Sequence, residues 1–294
     1  MSAADVPELG VNHEGHVMRL TLQRPDKGNA LSPSVVAALT TALEDARRHM
    51  PRLLVIEGAG PQFCTGFDLS DLEAETDDSL LARIVRVELL LQLVSAAPFA
   101  TLAIAQGRVT GAGADLFCAC SLRWIAGDAK FSFPGSGFGL VLGTARLADT
   151  VGAPTARGWV MGGGQINGDE ALATGLATQR IDAAGVTSGR EFSSLLRNLS
   201  RLDDETYAAV YGAAGGARRP RGTAGDGEDM VRLVRSAARP GLKERIAAYR
   251  AASARDKTLA QANYVAGQSS SRLTNSHANY SDRHCGGGSP STLA

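Results

Sequence analysis

The stretch TLAIAQGRVTGAGADLFCACSL, Thr101 to Leu122, holds one complete structural repeat. Thr101–Ala105 is a short apolar run with strand character, Gly107–Gly113 is glycine-rich, and Ala114–Leu122 is helix-like. The same order appears upstream. His16–Gln23 alternates as a half-buried strand does, with Val17, Arg19 and Thr21 set against Met18, Leu20 and Leu22, until Arg24-Pro25-Asp26-Lys27 breaks the pattern. Ser32 then caps a helix with Pro33 at its first position, and Val35, Val36, Leu39, Leu43 and Ala46 recur at helical spacing as far as His49. Leu53–Glu57 reads as a buried strand closed by Gly58-Ala59-Gly60, Phe63–Leu69 as a loop, and Leu80–Ala97 as a helix with a broad apolar face. This alternation predicts an α/β domain whose functional groups lie on the loops that follow the strands.

From about Gln165 the pattern turns helical, with Glu191–Ala213 and Met230–Ala252 as helix candidates. The reading divides the chain into an α/β core over 1–190, a helical region over 191–267 that contains a flexible linker at 215–228 (GGARRPRGTAGDGE), and a disordered Ser-, Gly- and Asn-rich tail over 268–294. With 294 residues and 44% hydrophobic composition the chain can bury a core without disulfides. Thirty basic residues balance thirty acidic ones, so no charge excess draws it to nucleic acid or an anionic membrane. Cys64, Cys118 and Cys120 lack zinc-type spacing and read as buried, reduced thiols. MSAADVPELG has neither the basic nor the apolar region of a secretory leader, and no apolar run reaches the ~20 residues of a spanning helix. A cytoplasmic location is expected.

Taken together, RPDKGNAL (Arg24–Leu31), FCTGFDLSDL (Phe63–Leu72), GRVTGAGADL (Gly107–Leu116), AKFSFPGSGFGLVLG (Ala129–Gly143) and INGDEALATGLA (Ile166–Ala177) resemble the crotonase superfamily of enoyl-CoA hydratases and isomerases. The resemblance implies a spiral of repeated β-β-α units with a helical C-terminal region, an acyl-CoA thioester as ligand, and no cofactor beyond the coenzyme A moiety. It implies an oxyanion hole made of the backbone N–H groups of Phe67 and Ala112, which would stabilise an enolate. By the same likeness Lys27, Asn29, Ala30, Gly66, Asp68 and Leu69 line the coenzyme A site, and the chain assembles as a homotrimer or a dimer of trimers.

The catalytic positions depart from the family pattern. Hydratases of the family set two glutamates over the substrate. Here the first position holds Asp115, one methylene shorter, and the second holds Gly135; a third acid position used by some relatives falls at Gly143. Asp115 is the candidate catalyst, although an acid in a first helical turn is also stabilised by the helix dipole without catalytic duty. Arg86 and Glu88 on the Leu80–Ala97 helix are the other polar candidates for the acyl pocket, and an inward Arg86 would favour a carboxylate-bearing acyl group. The leading expectation is an acyl-CoA enzyme that uses Asp115 alone; the alternative is a protein that binds acyl-CoA without chemistry. Ser-His-Asp hydrolysis is excluded, since His13, His16, His49, His277 and His284 lie outside the loops that build the pocket.

Overall fold

The structure, a computed structural model, describes residues 6–182, 189–214, 222–256 and 258. It forms two compact units, the first running through Arg245 and the second starting at Ile246. The expected boundary at 190 therefore falls inside the first unit. The second unit is helical through residue 256, and the tail expected over 268–294 lies outside the described residues.

Six strands make one sheet in strict chain order: β1 (Leu9–Glu14), β2 (Val17–Leu22), β3 (Leu53–Gly58), β4 (Ala100–Thr110), β5 (Leu122–Ser132) and β6 (Gln179–Ile181). β1 and β2 form an antiparallel hairpin, and every later pairing is parallel. Each parallel step needs a crossover, and each crossover moves one strand further, so the chain winds as a spiral. Helix α1 (Pro33–His49) links β2 to β3, α2 (Asp77–Ser95) links β3 to β4, and α3 (Ala112–Ala119) links β4 to β5. The sequence reading found β2, β3, α1 and α2 closely but did not separate β5, and it ended β4 at Ala105.

The sheet is buried on both faces, which is why β3 reads as a continuous apolar run instead of an alternating one. Leu54, Ile56 and Ala103 pack with α1, α2 and α3 on one side. Leu53, Val55, Leu102 and Trp124 face the other way and meet Phe192 and Leu196 of α7 (Arg190–Leu199). Between β5 and β6 the chain makes α4 (Thr144–Val151), α5 (Ala153–Gly162) and α6 (Gly168–Ala173). The helix expected over Glu191–Ala213 is two, because Asp203 accepts from the Thr206 N–H and starts α8 (Asp204–Ala213).

The linker expected at 215–228 needs correction. Residues 215–221 lie outside the described residues, but from Gly222 the chain is helical as α9 (Gly222–Ala237). Its glycines cost helix propensity, and packing against α2 offsets that cost, with Leu233 and Ala237 buried and the Gln92 amide donating to the Asp226 carbonyl at 3.3 Å.

The site depends on a bend in β4. The β4–β5 register shifts between Gln106 and Arg108, where Gly107 adopts φ 57°; a Cβ there would stand 2.1 Å from the Pro61 carbonyl oxygen. Only glycine fits. Past the bend, Arg108–Thr110 still pairs with Lys130–Ser132 and adds bridges from Cys64 to Val109, Leu31 to Phe67 and Phe131 to Ile166. This second small layer carries both family glycine motifs to one place.

Candidate active site

The loops at Lys27–Ala30 and Gly66–Leu69 are laced into one ledge. The Thr65 N–H donates to the Gly28 carbonyl (2.9 Å), the Leu31 N–H to Gly66 (2.8 Å) and the Asp68 N–H to Leu31 (3.2 Å). Arg24 crosses between them, donating to the Ala30 carbonyl at 2.8 Å and to Asp68 Oδ2 at 2.7 Å. Burial works against the charge of Asp68, but hydrogen bonds from Ser70 and Arg24 hold its carboxyl below the usual carboxylate range. Asn29 is buried with φ 55°; its side chain accepts from the Arg24 N–H and donates to the Ala59 and Gln62 carbonyls. Asn29 and Asp68 thus hold the ledge in shape, Lys27 is exposed at its crest, and Leu69 is half-buried beside Asp68.

The backbone amides of Phe67 and Ala112 lie beside this ledge. The Gly66 carbonyl accepts from Leu31, so the Phe67 N–H, trans to it in the same peptide, points away from Leu31. The Gly111 carbonyl accepts from the Asp115 N–H inside α3, so the Ala112 N–H points out of the start of that helix. A Cβ at Gly66 would stand 3.3 Å from the Ala112 nitrogen and 2.5 Å from the Thr110 carbonyl, and Gly66 has φ 94°. Among the described residues neither N–H meets an acceptor.

Asp115 lies one turn along α3 from Ala112, on the same helical side. It is buried, and burial pushes its carboxyl up to about 8; the Arg146 charge lowers the value and Glu88 raises it. Its Oδ1 stands 2.0 Å from where a Cβ at Gly143 would be, so Asp115 fills the space of a residue-143 side chain. Glu88 does not face solvent. It is 1% exposed and forms a two-pronged ion pair with Arg146 of α4, Nη1 to Oε1 at 2.8 Å and Nη2 to Oε2, while Gln92 adds a bond at 2.9 Å. Burial opposes the Arg146 charge, but hydrogen bonds from it to Glu88 hold the guanidinium above its usual value. Sequence reasoning passed over Arg146, whose only signal is a lone cation between Ala145 and Leu147 of α4.

Arg86 is exposed and borders a shallow pocket with Leu31, Pro33, Phe67 and Arg83. Arg83, also unforeseen, lies 4.3 Å over the Phe67 ring, donates to the Asp68 carbonyl at 2.7 Å and pairs with Glu75. Gly135 sits in the 3-10 turn Pro134–Phe138, which approaches Gly111: a Cβ at 111 would lie 3.8 Å from the Pro134 ring. Cys64, Cys118 and Cys120 are buried and in no disulfide among the described residues, and burial pushes the Cys64 thiol up to about 12. No helix among the described residues is long and apolar enough to cross a membrane.

Comparison with known proteins agrees with this fold. Residues 12–213 match the enoyl-CoA hydratase/isomerase family. The "Probable enoyl-CoA hydratase echA6" of Mycobacterium bovis is 34% identical over 176 residues, covering 58% of this chain and 70% of that protein. The "Probable enoyl-CoA hydratase EchA14" of Mycobacterium tuberculosis is 32% identical over 216 residues, covering 70% of this chain and 74% of its own. The crystal structure of a "putative enoyl-CoA hydratase/isomerase" from Bordetella parapertussis superposes with a TM-score of 0.76 at 38% identity, over 83% of this chain and 98% of the other. Sequence match and spiral fold coincide over more than half the chain, and it belongs to the enoyl-CoA hydratase/isomerase family of the crotonase superfamily.

Proposed function

We propose that this protein is an acyl-CoA enzyme that moves a proton at the carbon next to the thioester carbonyl. The observation that carries the reading is the pair of acceptor-free amides at Phe67 and Ala112. Donors fixed beside a developing enolate oxygen need no reorganisation as charge forms, and one such donor is typically worth about 10²–10³ in rate. The ledge of Lys27, Asn29, Ala30, Gly66, Asp68 and Leu69 receives the coenzyme A portion, with Lys27 the residue free to reach a phosphate.

Asp115 is the acid–base group of this reading. With a carboxyl pushed up to about 8, its ionised form is a competent base and its neutral form a competent donor near neutral pH. The ionised carboxyl takes the α-proton, the electron pair moves onto the thioester oxygen, and the neutral carboxyl returns the proton to a carbon of the enolate. Allylic isomerisation closes this cycle with one carboxyl. Hydration would need a second group to activate water, and position 135 is glycine. Assembly as a trimer or dimer of trimers belongs to the same reading, because relatives of this fold cover their acyl pockets with a neighbour's helices.

The test is proton exchange. Acyl-CoA incubated with the protein in deuterium oxide should gain deuterium at the α-carbon, and a β,γ-enoyl thioester should convert to its α,β-isomer. The absence of a carboxylate at 135 favours a second reading, a protein that holds acyl-CoA without chemistry. Tight thioester binding with no α-exchange would select it.

A further inference from the structure

We infer that the pocket between the Pro134–Phe138 turn and α9 receives the far end of the acyl group, and that this end carries a carboxylate. The inference rests on the acyl-CoA reading. The Pro134–Phe138 turn borders both the amide pair and the pocket: Gly111 abuts Pro134, and a Cβ at Gly135 would stand 3.5 Å from the carbonyl oxygen of Leu140, which lines the pocket. A side chain at 135 would project towards Leu140. Glycine places no side chain there.

The pocket is an open hollow of about 550 Å³ with an apolar wall of Leu140, Val141 and Val160. Three arginines of the α9 segment border it. Arg232 is engaged with Glu228 (2.8 Å) and Asp229 (2.9 Å). Arg235 and Arg239 have no carboxylate partner among the described residues, and the Arg239 guanidinium lies 3.3 Å from where a Cβ at Gly139 would be. The C-terminal end of a helix favours cations, but two like charges four residues apart repel, and that end does not call for an apolar-walled hollow beneath them.

The guanidiniums are mounted on a fixed frame. The Val141 N–H donates to Ser236 Oγ at 3.0 Å, and Arg245 donates to the Phe138 carbonyl at 2.8 Å and to the Arg239 carbonyl at 2.9 Å, tying the end of α9 to the turn. An apolar wall bordered by the Arg235 and Arg239 side chains fits a hydrocarbon chain that ends in an acid, since arginine recognises carboxylates with two parallel bonds. This places the carboxylate contact at Arg235 and Arg239 and not at Arg86, which lies on the Phe67 side.

The test compares CoA thioesters of ω-carboxylic acids with methyl-ended thioesters of equal length, by calorimetry on the full chain. The carboxyl-ended series should bind about tenfold tighter at one chain length, as charge-assisted bonds at an exposed rim allow. In Arg235→Gln/Arg239→Gln that ratio should fall to about one. Equal affinity of the two series for the unaltered protein, or a preference that survives the double substitution, overturns the inference while leaving the acyl-CoA reading in place. If neither series binds, the acyl-CoA reading fails and the inference falls with it.

Discussion

The cluster of Glu88, Arg146 and Asp115 sets a charge balance that Glu88→Gln disturbs in a calculable direction. In the native protein the buried Arg146 cation is matched by Glu88, and Asp115 keeps its proton up to about pH 8 because burial disfavours its charged form and the nearby Glu88 anion adds to that. Removing the Glu88 charge leaves Arg146 facing Asp115 from α4 and Asp229 from α9. Asp115 then becomes the anion that the cation requires. Two unit charges about 6 Å apart at an effective dielectric of about 20 interact by about 3 kcal/mol, and about 1.4 kcal/mol corresponds to one pH unit. The Asp115 titration should therefore move down by roughly one to two units. The assay is a carbon-13 carboxyl titration by NMR on protein whose circular dichroism confirms folding, joined to the pH profile of α-proton exchange. If Asp115 acts as base, exchange in the native protein rises with pH and levels near 8, and in Glu88→Gln it levels correspondingly lower. A titration of Asp115 that does not move in folded Glu88→Gln would refute the coupling.

Asp115→Asn should keep CoA-thioester binding and reduce exchange by about 10²–10⁴, the usual loss for an acid–base group; unaltered exchange would make the carboxyl structural. The same substitution tests linkage, because a carboxyl whose folded value lies above its unfolded one stabilises the fold fully below pH ~4 and loses that contribution as pH rises towards 8. The native protein should lose up to about 1.4 kcal/mol of unfolding free energy per pH unit across that window, and urea titrations of Asp115→Asn should lack this slope. Gly66→Ala forces a Cβ to 2.5 Å from the Thr110 carbonyl at positive φ, and should cost about 1–3 kcal/mol in denaturation and displace the Phe67 amide, lowering exchange more than thioester affinity. Light scattering at micromolar concentration should give the mass of a trimer or a dimer of trimers, and a monomer would remove that part of the proposal.

By itself the sequence determined the strand, loop and helix order, because burial on both sheet faces writes itself locally as apolar runs at Leu53–Glu57 and Thr101–Ala105 and as helical spacing from Val35 to Ala46. The family resemblance of its short motifs also implies Phe67 and Ala112, beside Gly66 and Gly111, as the oxyanion donors. Only the tertiary structure decided what the ionisable side chains do. Glu88, Asp115 and Arg146 sit on three different helices, and their meeting has no local signature; a charge on a helix reads as solvated until the partner that makes its burial tolerable is in view. The same holds for Arg235 and Arg239, whose stretch follows glycine-rich residues that read as a linker. The α9 helix forms there because α2 and the segment around Val141 supply packing and hydrogen bonding that propensity alone does not.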